Sequence, residues 1–134
     1  MLLVDTNVLV DVVERDPVWA SWSVAQMRAQ AQIQSLIINP VIYAELSLAF
    51  GTVAALDHLL SELELTLEEM PRPALFLAGR AFRRYRQRGG KKGNVLADFF
   101  IGAHASVCGH TLLTRDRGRY AAYFPGLQLI SPPG

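Results

Sequence analysis

Two acidic residues follow short apolar runs, in positions where an acid can serve a binding site. Asp5 comes directly after Leu2–Val4, and Asp116 comes shortly after Thr111–Leu113. Short buried runs of this kind predict strands, so both acids are expected at the carboxyl ends of strands, where open α/β sheets place their ligand crevices. Taken alone, each acid also fits an ordinary loop, because Asp commonly ends strands and caps helices.

Two further acids, Glu45 and Asp98, fall on predicted helices among apolar neighbours. The residues at helical spacing are Ile42, Leu48 and Ala49 for Glu45, and Ile101, Gly102 and Ala105 for Asp98. A carboxylate on an apolar face loses its hydration, which disfavours the charged form unless a cation or several donors compensate. Each acid is therefore interpreted either as a metal ligand or as a structural acid paired with backbone amides or an arginine.

Four carboxylates that converge in one crevice would repel one another, and a bound cation removes that conflict. Oxygen ligands without a Cys/His set favour Mg²⁺ or Mn²⁺ over zinc. We predict Asp5, Asp98 and Asp116 as metal ligands, with Glu45 completing the catalytic set. Such a site can activate water and clamp the oxygens of a phosphodiester without a covalent nucleophile.

Several other chemically capable residues are predicted to lie outside this site. The helical neighbours of Asp11 are polar, so its side chain is expected to face solvent. His58, His104 and His110 lack metal-ligand spacing and a common helix face, which favours structural roles. Cys108 is the only cysteine and is expected to be a small buried hydrophobe, with no internal disulfide possible.

The elements that must position the acids are those of an α/β fold. The chain has 134 residues, of which 51% are hydrophobic and 19% charged, as expected for a single domain spanning residues 1–134. Strands are predicted at Leu2–Val4, Leu36–Ile38, Thr111–Leu113 and, at an edge, Leu127–Ile130. Helices are predicted at 7–14, 17–30, 40–50, 53–62, 73–88 and 95–108. This alternation predicts a mainly parallel sheet with helices on both faces.

The N-terminus lacks the basic region of a signal peptide, and no apolar segment is long enough to cross a membrane. A cytoplasmic protein without membrane attachment is therefore expected.

Positive charge is concentrated in one region. Between Pro71 and Ala97 there are eight of the thirteen Lys and Arg residues and no acid. Helical spacing aligns Arg80, Arg84 and Arg88, and the glycine-rich loop that follows adds Lys91 and Lys92. One interpretation is a solvated helix face; the other is a surface that holds RNA phosphates, with an affinity that falls as salt rises.

At the four acids the chain resembles the PIN-domain family, and within it the VapC-like toxins of toxin–antitoxin pairs. The matching motifs are Leu3-Val4-Asp5-Thr6-Asn7, Tyr43-Ala44-Glu45-Leu46, the segment from Ala97-Asp98-Phe99 to Ala105, and Leu113-Thr114-Arg115-Asp116. They cover nearly the whole chain, and their order and spacing make the resemblance specific. The family often has a proline before the third acid, where this chain has Ala97.

The resemblance implies a three-layer α/β sandwich with a central sheet of four to five strands. It also implies an Mg²⁺- or Mn²⁺-dependent endoribonuclease whose acidic quartet is Asp5, Glu45, Asp98 and Asp116. In that family the residues at Asn7 and Thr114 support the site by orienting the first and last acids. Here Asn7 equally fits the first turn of its helix, with Thr6 as the cap, and Thr114 equally fits the end of a strand. The implied partners are RNA as substrate, a cognate antitoxin and a second copy of the chain in a homodimer.

Three alternatives remain. A phosphoacceptor receiver domain would need adjacent acids after the first strand, which Asp5-Thr6 does not supply, and a late strand-end lysine is missing. A DNA nuclease of the flap type shares the metal chemistry, but the short chain lacks room for a strand-clamping module. The main alternative is a catalytically weak PIN-like module that binds RNA or protein, against which the presence of all four acids argues.

Overall fold

A five-stranded parallel sheet lies at the centre of the computed structural model, which describes residues 1–91, 93 and 95–133. The strands are β1 (Leu2–Val4), β2 (Leu36–Ile38), β3 (Leu65–Leu67), β4 (Thr111–Leu113) and β5 (Leu129–Ile130). The helices in the described residues are α1 (Thr6–Glu14), α2 (Ala20–Ala31), α3 (Pro40–Leu46), α4 (Val53–Glu62), α5 (Arg72–Gln87), α6 (Leu96–Cys108) and α7 (Gly118–Tyr123).

The strand order is β3-β2-β1-β4-β5, so the first strand lies in the middle of the sheet. Leu2 pairs with Leu36 on one side and with Thr111 on the other, and all four strand pairings are parallel. Parallel pairing requires helical crossovers, which cover the faces of the sheet. The predicted α/β class with four to five mainly parallel strands is confirmed.

Local sequence explains where several of the strands and helices begin. The central strands β1 and β2 are buried at every position, as continuous apolar runs in a covered parallel sheet should be. The Asn39 side chain accepts a hydrogen bond from the Ile42 backbone N–H over 2.9 Å, and Pro40 occupies the first position of α3. The Thr52 hydroxyl caps α4 in the same way by accepting from the Ala55 N–H over 3.1 Å.

Two predicted helix boundaries are wrong because polar side chains bind the backbone. The Asp16 carboxylate accepts hydrogen bonds from the N–H groups of Val18 and Trp19, which forms a turn and delays the start of α2 to Ala20. The helix predicted to run to Phe50 ends at Leu46 and continues as a 3₁₀ turn, Ser47–Ala49. There the Ser47 hydroxyl donates to the Ala44 carbonyl over 2.6 Å.

Two elements have weak sequence signals and are absent from the prediction. In β3 only Leu65 is buried, and Thr66 and Leu67 are exposed, so no apolar run marks the strand. The six-residue helix α7 begins at a glycine and is too short to show a clear period. This second omission matters because α7 contributes two side chains to the candidate site.

The contact between α6 and the C-terminal segment depends on Gly102. A Cβ atom at this position would lie 2.4 Å from a ring carbon of Phe124, a distance that real contacts do not allow. Phe124 is itself buried, at 3% exposure. The absence of a side chain at Gly102 therefore lets the segment after α7 pack directly on α6, the helix that carries Asp98.

No helix in the described residues is long and apolar enough to cross a membrane alone. The segments Pro40–Ala49 and Val53–Glu62 reach the required length and hydropathy only together, and they meet at a bend of 113°.

Candidate functional site

Asp5 is held at the carboxyl end of the central strand by bonds from three parts of the chain. Its backbone N–H donates to the Leu113 carbonyl over 2.9 Å, which fixes it beside β4. Its Oδ2 accepts hydrogen bonds from the Thr114 hydroxyl over 2.8 Å and from the Tyr120 hydroxyl over 2.9 Å. The side chain is thus buried and oriented by two neutral donors.

Burial has a large effect on the Asp5 carboxyl. Loss of hydration is the main cause that raises its pKa from an ordinary 3.8 to about 6, and the negative charge of Asp98 adds to the rise. The hydrogen bonds from Thr114 and Tyr120 act in the opposite direction without cancelling it. A carboxylate that remains this costly to ionise is one whose charge a bound cation would compensate.

Asp98 lies in the first turn of α6 and faces the same region. Its Oδ1 is 3.5 Å from the Tyr120 hydroxyl, and its Oδ2 accepts a charge-assisted hydrogen bond from Arg119 Nη1 over 2.6 Å. Desolvation raises the pKa of Asp98, the Arg119 contact lowers it, and the charge of Asp116 raises it again. Asp98 therefore has the arginine partner that the sequence left open as an alternative to a metal.

Asp116 is exposed, and a small polar network connects it to Asp5. The Asp116 N–H donates to the Thr114 hydroxyl oxygen over 3.1 Å, and Asp116 Oδ1 accepts from the Gly118 N–H over 3.1 Å. The Asn7 amide donates to the same Thr114 oxygen over 3.4 Å, while Asn7 Oδ1 accepts from the Arg115 N–H over 3.2 Å. Asn7 and Thr114 thus lie between the acids at the ends of β1 and β4.

Glu45 lies on α3, half-buried, with its Oε1 accepting a hydrogen bond from the Thr6 hydroxyl over 2.5 Å. Its predicted apolar neighbour Ile42 is buried, whereas Leu48 is 90% exposed and Ala49 is exposed because the helix ends early. Glu45 nevertheless faces the other acids. Burial is the largest cause that raises the pKa of the Tyr120 hydroxyl, and the charges of Asp5, Asp98 and Glu45 raise it further.

Arg119 and Tyr120 are the two site residues that the sequence analysis missed. Both belong to α7, whose short length hid the fact that two consecutive side chains point to the acids. The signal that could have found them is Asp116, whose side chain accepts a hydrogen bond from the N–H of Gly118 and so marks a turn where the helix begins. The structure thus brings Asp5, Asp98 and Glu45 around one phenol hydroxyl, and Asp116 acts on Asp98 through its charge. These acids offer oxygen ligands of the kind that Mg²⁺ and Mn²⁺ prefer.

Comparison with known proteins identifies the fold family. The family model for the PIN domain matches residues 2–125. This chain belongs to the PIN-domain family. Comparison with curated proteins gives no significant match.

Solved structures resemble this PIN domain over almost its whole length. VapBC2 from Rickettsia felis, bound to a promoter DNA fragment, has a TM-score of 0.75 and 22% identity, with 98% of each chain covered. VapBC-1 from nontypeable Haemophilus influenzae has a TM-score of 0.71 and 19% identity, covering 97% of this chain and 96% of that one. FitAcB from Neisseria gonorrhoeae has a TM-score of 0.66 and 20% identity, covering 97% and 96%.

Asp11 of this PIN domain does not face solvent as predicted. It is 2% exposed, and its Oδ2 accepts a hydrogen bond from Ser23 over 3.1 Å and lies 2.6 Å from Arg115 Nε. The polar helical neighbours of Asp11 concealed this because the burial comes from α2 and from the segment after β4. Asp11 thus stabilises the packing behind the site through an ion pair.

The predicted basic surface follows the exposed face of α5. Arg80, Arg84, Arg88 and Lys91 are exposed, and Lys92 lies outside the described residues. Its C-terminal part approaches α7: the Arg88 guanidinium lies 5.5 Å from the ring centre of Tyr123. Tyr85 of α5 lies 5.4 Å from the Arg119 guanidinium, which in turn binds Asp98.

Three histidines and Cys108 are predicted to have structural or buried positions. His58 is exposed and pairs with Glu62, whereas His104 and His110 are buried and both contact Glu68, over 2.9 and 2.6 Å. The contacts of His104 and His110 are those of structural residues, although the two rings meet at one carboxylate without sharing a helix face. Cys108 is exposed and not buried, because it is the last residue of α6.

Proposed function

We propose that this PIN domain is a metal-dependent endoribonuclease that hydrolyses RNA phosphodiester bonds with an activated water. The observation that carries the proposal is the buried carboxyl of Asp5, which has Asp98 beside it and is bound by the neutral groups of Thr114, Tyr120 and the Thr6 backbone. A buried acid with a raised pKa, next to a second acid, is a common feature of active sites. It also fits a divalent cation, which would compensate both charges.

Each acid has its own part in this proposal. Asp5, Asp98 and Asp116 would hold Mg²⁺ or Mn²⁺ through oxygen atoms, which these ions prefer. When bound, the ion supplies positive charge that activates water and offsets the charge developing on the phosphate. Glu45, held by Thr6, would orient the attacking water and receive its proton.

The surrounding residues keep these acids in place. Thr114 and Tyr120 fix the orientation of Asp5 Oδ2, and Asn7 binds both Thr114 and the backbone N–H of Arg115. Since a catalytic group must be held close to its productive geometry, this polar network would serve catalysis as well as packing.

We further propose that the chain is the toxin of a toxin–antitoxin pair, forms a homodimer and is inhibited by a cognate antitoxin. Support comes from the structures that share its fold, which include VapBC complexes and a toxin–antitoxin complex from Klebsiella pneumoniae. The basic surface of α5, whose C-terminal end contacts α7, would hold the phosphates of the RNA substrate.

The ion pair between Arg119 and Asp98 favours a second candidate, a catalytically weak PIN-like module that binds RNA or protein. An arginine that already neutralises Asp98 reduces the need for a metal there. This module would keep the fold and the basic surface, and it would bind Mn²⁺ weakly.

One experiment separates the two candidates. The purified chain is incubated with total RNA and with single-stranded DNA, in Mg²⁺, Mn²⁺ or EDTA, beside the variants Asp98→Asn and Asp57→Asn. Asp57 is an exposed acid on α4 that binds Tyr43, and it controls for the loss of a negative charge. Discrete RNA cleavage that requires metal and Asp98 but not Asp57 supports the nuclease. Absence of cleavage together with weak Mn²⁺ binding supports the module.

A further inference from the structure

A second group of potential metal ligands lies outside the acidic site. Among the described residues, ligand atoms of Glu68, His104, Cys108 and His110 all lie within 4.8 Å of one another. Glu68 Oε2 is 2.9 Å from His104 Nε2 and 2.6 Å from His110 Nε2. Three elements meet here: the segment after β3, the end of α6 and the residue before β4.

The hydrogen bonds of Asn39 determine which nitrogen of His104 carries the proton. Asn39 Oδ1 accepts from the Ile42 N–H at the start of α3, so the Asn39 amide nitrogen is the group that faces His104 Nδ1, at 3.1 Å. Nδ1 must therefore accept, and in the neutral ring Nε2 carries the hydrogen and donates it to Glu68. An Nε2 atom with a hydrogen has no lone pair for a metal.

His104 thus holds the Glu68 carboxylate in one fixed tautomer. In the metal-free chain His110 Nε2 also donates to Glu68, but among the described residues no hydrogen bond to Nδ1 fixes the His110 tautomer, so a metal can take the place of that hydrogen. We infer that Glu68, Cys108 and His110 form a transition-metal site of the Zn²⁺ class, with the His104 Nε2–H fixing the carboxylate ligand. A thiolate, an imidazole and a carboxylate are the ligands that Zn²⁺ prefers, and a hydrogen-bonded residue behind a ligand is usual in such sites.

Gly109 places the thiol and the imidazole on the same side of the turn. It has a φ of 69°, in the left-handed region, and ends α6. The His110 N–H then donates to the Ala105 carbonyl over 2.9 Å, which closes the turn. Cys108 and His110 are separated only by this residue, so the left-handed turn is what lets both approach Glu68.

The ligand chemistry distinguishes this site from the acidic one. The cluster contains sulfur and nitrogen, which select Zn²⁺ or Co²⁺, whereas the acids around Tyr120 offer only oxygen, which suits Mg²⁺ or Mn²⁺. Cys108 is exposed, so the fourth coordination position would be open to water. Three ligands from separate elements would also link the end of α6 to the sheet, so that binding stabilises the fold.

Cobalt provides a direct probe of this site. Co²⁺ is titrated into the full-length chain, kept reduced with a phosphine and free of other metals, and the absorption spectrum is recorded. We expect a thiolate-to-cobalt charge-transfer band that saturates at a single ion per chain. Zn²⁺ should remove the band, and a large excess of Mg²⁺ should leave it unchanged.

Three variants make the test specific. Cys108→Ser changes an exposed side chain and should abolish the charge-transfer band. His110→Gln should weaken Co²⁺ binding by about 10-fold or more. Asp98→Asn alters the acidic site and should leave the band intact. The inference is overturned if the wild type shows no thiolate band, if Cys108→Ser retains it, or if Asp98→Asn removes it.

Discussion

The Tyr120 hydroxyl donates a hydrogen bond to Asp5 Oδ2 over 2.9 Å, joining the last helix of the chain to the end of its first strand. The Tyr120 hydroxyl oxygen also lies 3.5 Å from Asp98 Oδ1. One buried phenol therefore sits between two acids that belong to different elements. The orientation of the acids depends on α7, an element with no acid of its own.

Replacing Tyr120 by Phe tests this dependence. The hydrogen bond to the Asp5 carboxylate is lost, and we expect the free energy of unfolding to fall by about 1.5–3 kcal/mol at pH 8, a range typical of hydrogen bonds to charged groups. Urea denaturation of the metal-free protein measures it. Tyr123→Phe, in the same helix, is the matched control and should change stability by less than about 0.5 kcal/mol. Equal effects of the two substitutions would contradict the assignment.

The raised pKa of Asp5 predicts a pH-dependent stability. Because the pKa of an ordinary aspartate is 3.8 and that of Asp5 is about 6 in the folded chain, the folded state binds more protons between these values. The free energy of unfolding should therefore decrease as pH rises from about 4 to 6, by up to roughly 3 kcal/mol from this group. Denaturation of the metal-free protein across this range measures the effect.

Asp5→Asn is the control for that profile. The amide oxygen can accept the hydrogen bonds from Thr114 and Tyr120, which both go to Oδ2, while the titrating charge is removed. Subtracting the profile of the variant from that of the wild type removes the contribution of Glu68, whose pKa is also shifted, and leaves the contribution of Asp5 with its coupling to Asp98. A difference that stays constant between about pH 4 and 6 would show that Asp5 does not titrate there.

Arg119 and a divalent cation should compete for Asp98. The ion pair measures 2.6 Å, but both side chains are about one-third exposed, so its loss should cost the metal-free protein no more than about 1 kcal/mol. We expect Arg119→Gln to tighten Mn²⁺ binding several-fold, as followed by calorimetry. Arg117→Gln, two residues earlier and exposed, is the control. Unchanged Mn²⁺ affinity in Arg119→Gln would mean that the guanidinium does not oppose the ion.

If the basic surface of α5 binds RNA, its arginines should contribute to the salt dependence of RNA affinity. If Arg84 and Arg88 each contact a phosphate of single-stranded RNA, replacing both by Ala should weaken binding and reduce the slope of log K against log salt by about 1.4, at roughly 0.7 per contact. The double variant Arg15→Ala and Arg28→Ala removes the same charge from exposed positions outside α5 and serves as the control. Identical slopes in the wild type and the Arg84/Arg88 variant would mean that this face of α5 is solvated and does not contact RNA phosphates.

Gly102→Ala tests the close packing of α6 on the C-terminal segment. The added methyl group would lie 2.4 Å from the buried Phe124 ring, so the free energy of unfolding should fall by about 1–3 kcal/mol. Gly79→Ala on α5, where a Cβ meets nothing within 4 Å, should stabilise or leave stability unchanged. Thermal denaturation of both variants measures the difference, and equal melting temperatures would contradict the close approach.

The sequence predicts the strands β1, β2 and β4 and the helix α4 with their observed bounds, because buried apolar runs and capping residues mark them directly. It fails where a feature depends on contacts between distant segments. Asp11 is buried by elements that its own neighbours do not reveal, and α7 is too short to show a period. The cluster of Glu68, His104 and His110 arises because the residue after β3 meets α6 and the residue before β4, which no local spacing encodes.

The central place of β1 in the sheet has a consequence for biosynthesis. Leu2 cannot pair on one side before Leu36 has been made, nor on the other before Thr111. Asp5 is made long before its hydrogen-bond donors Thr114 and Tyr120, which follow it by 109 and 115 residues. A nascent chain that has not yet reached these residues therefore holds Asp5 without the groups that orient it, and the acidic site can assemble only after Tyr120 has left the ribosome.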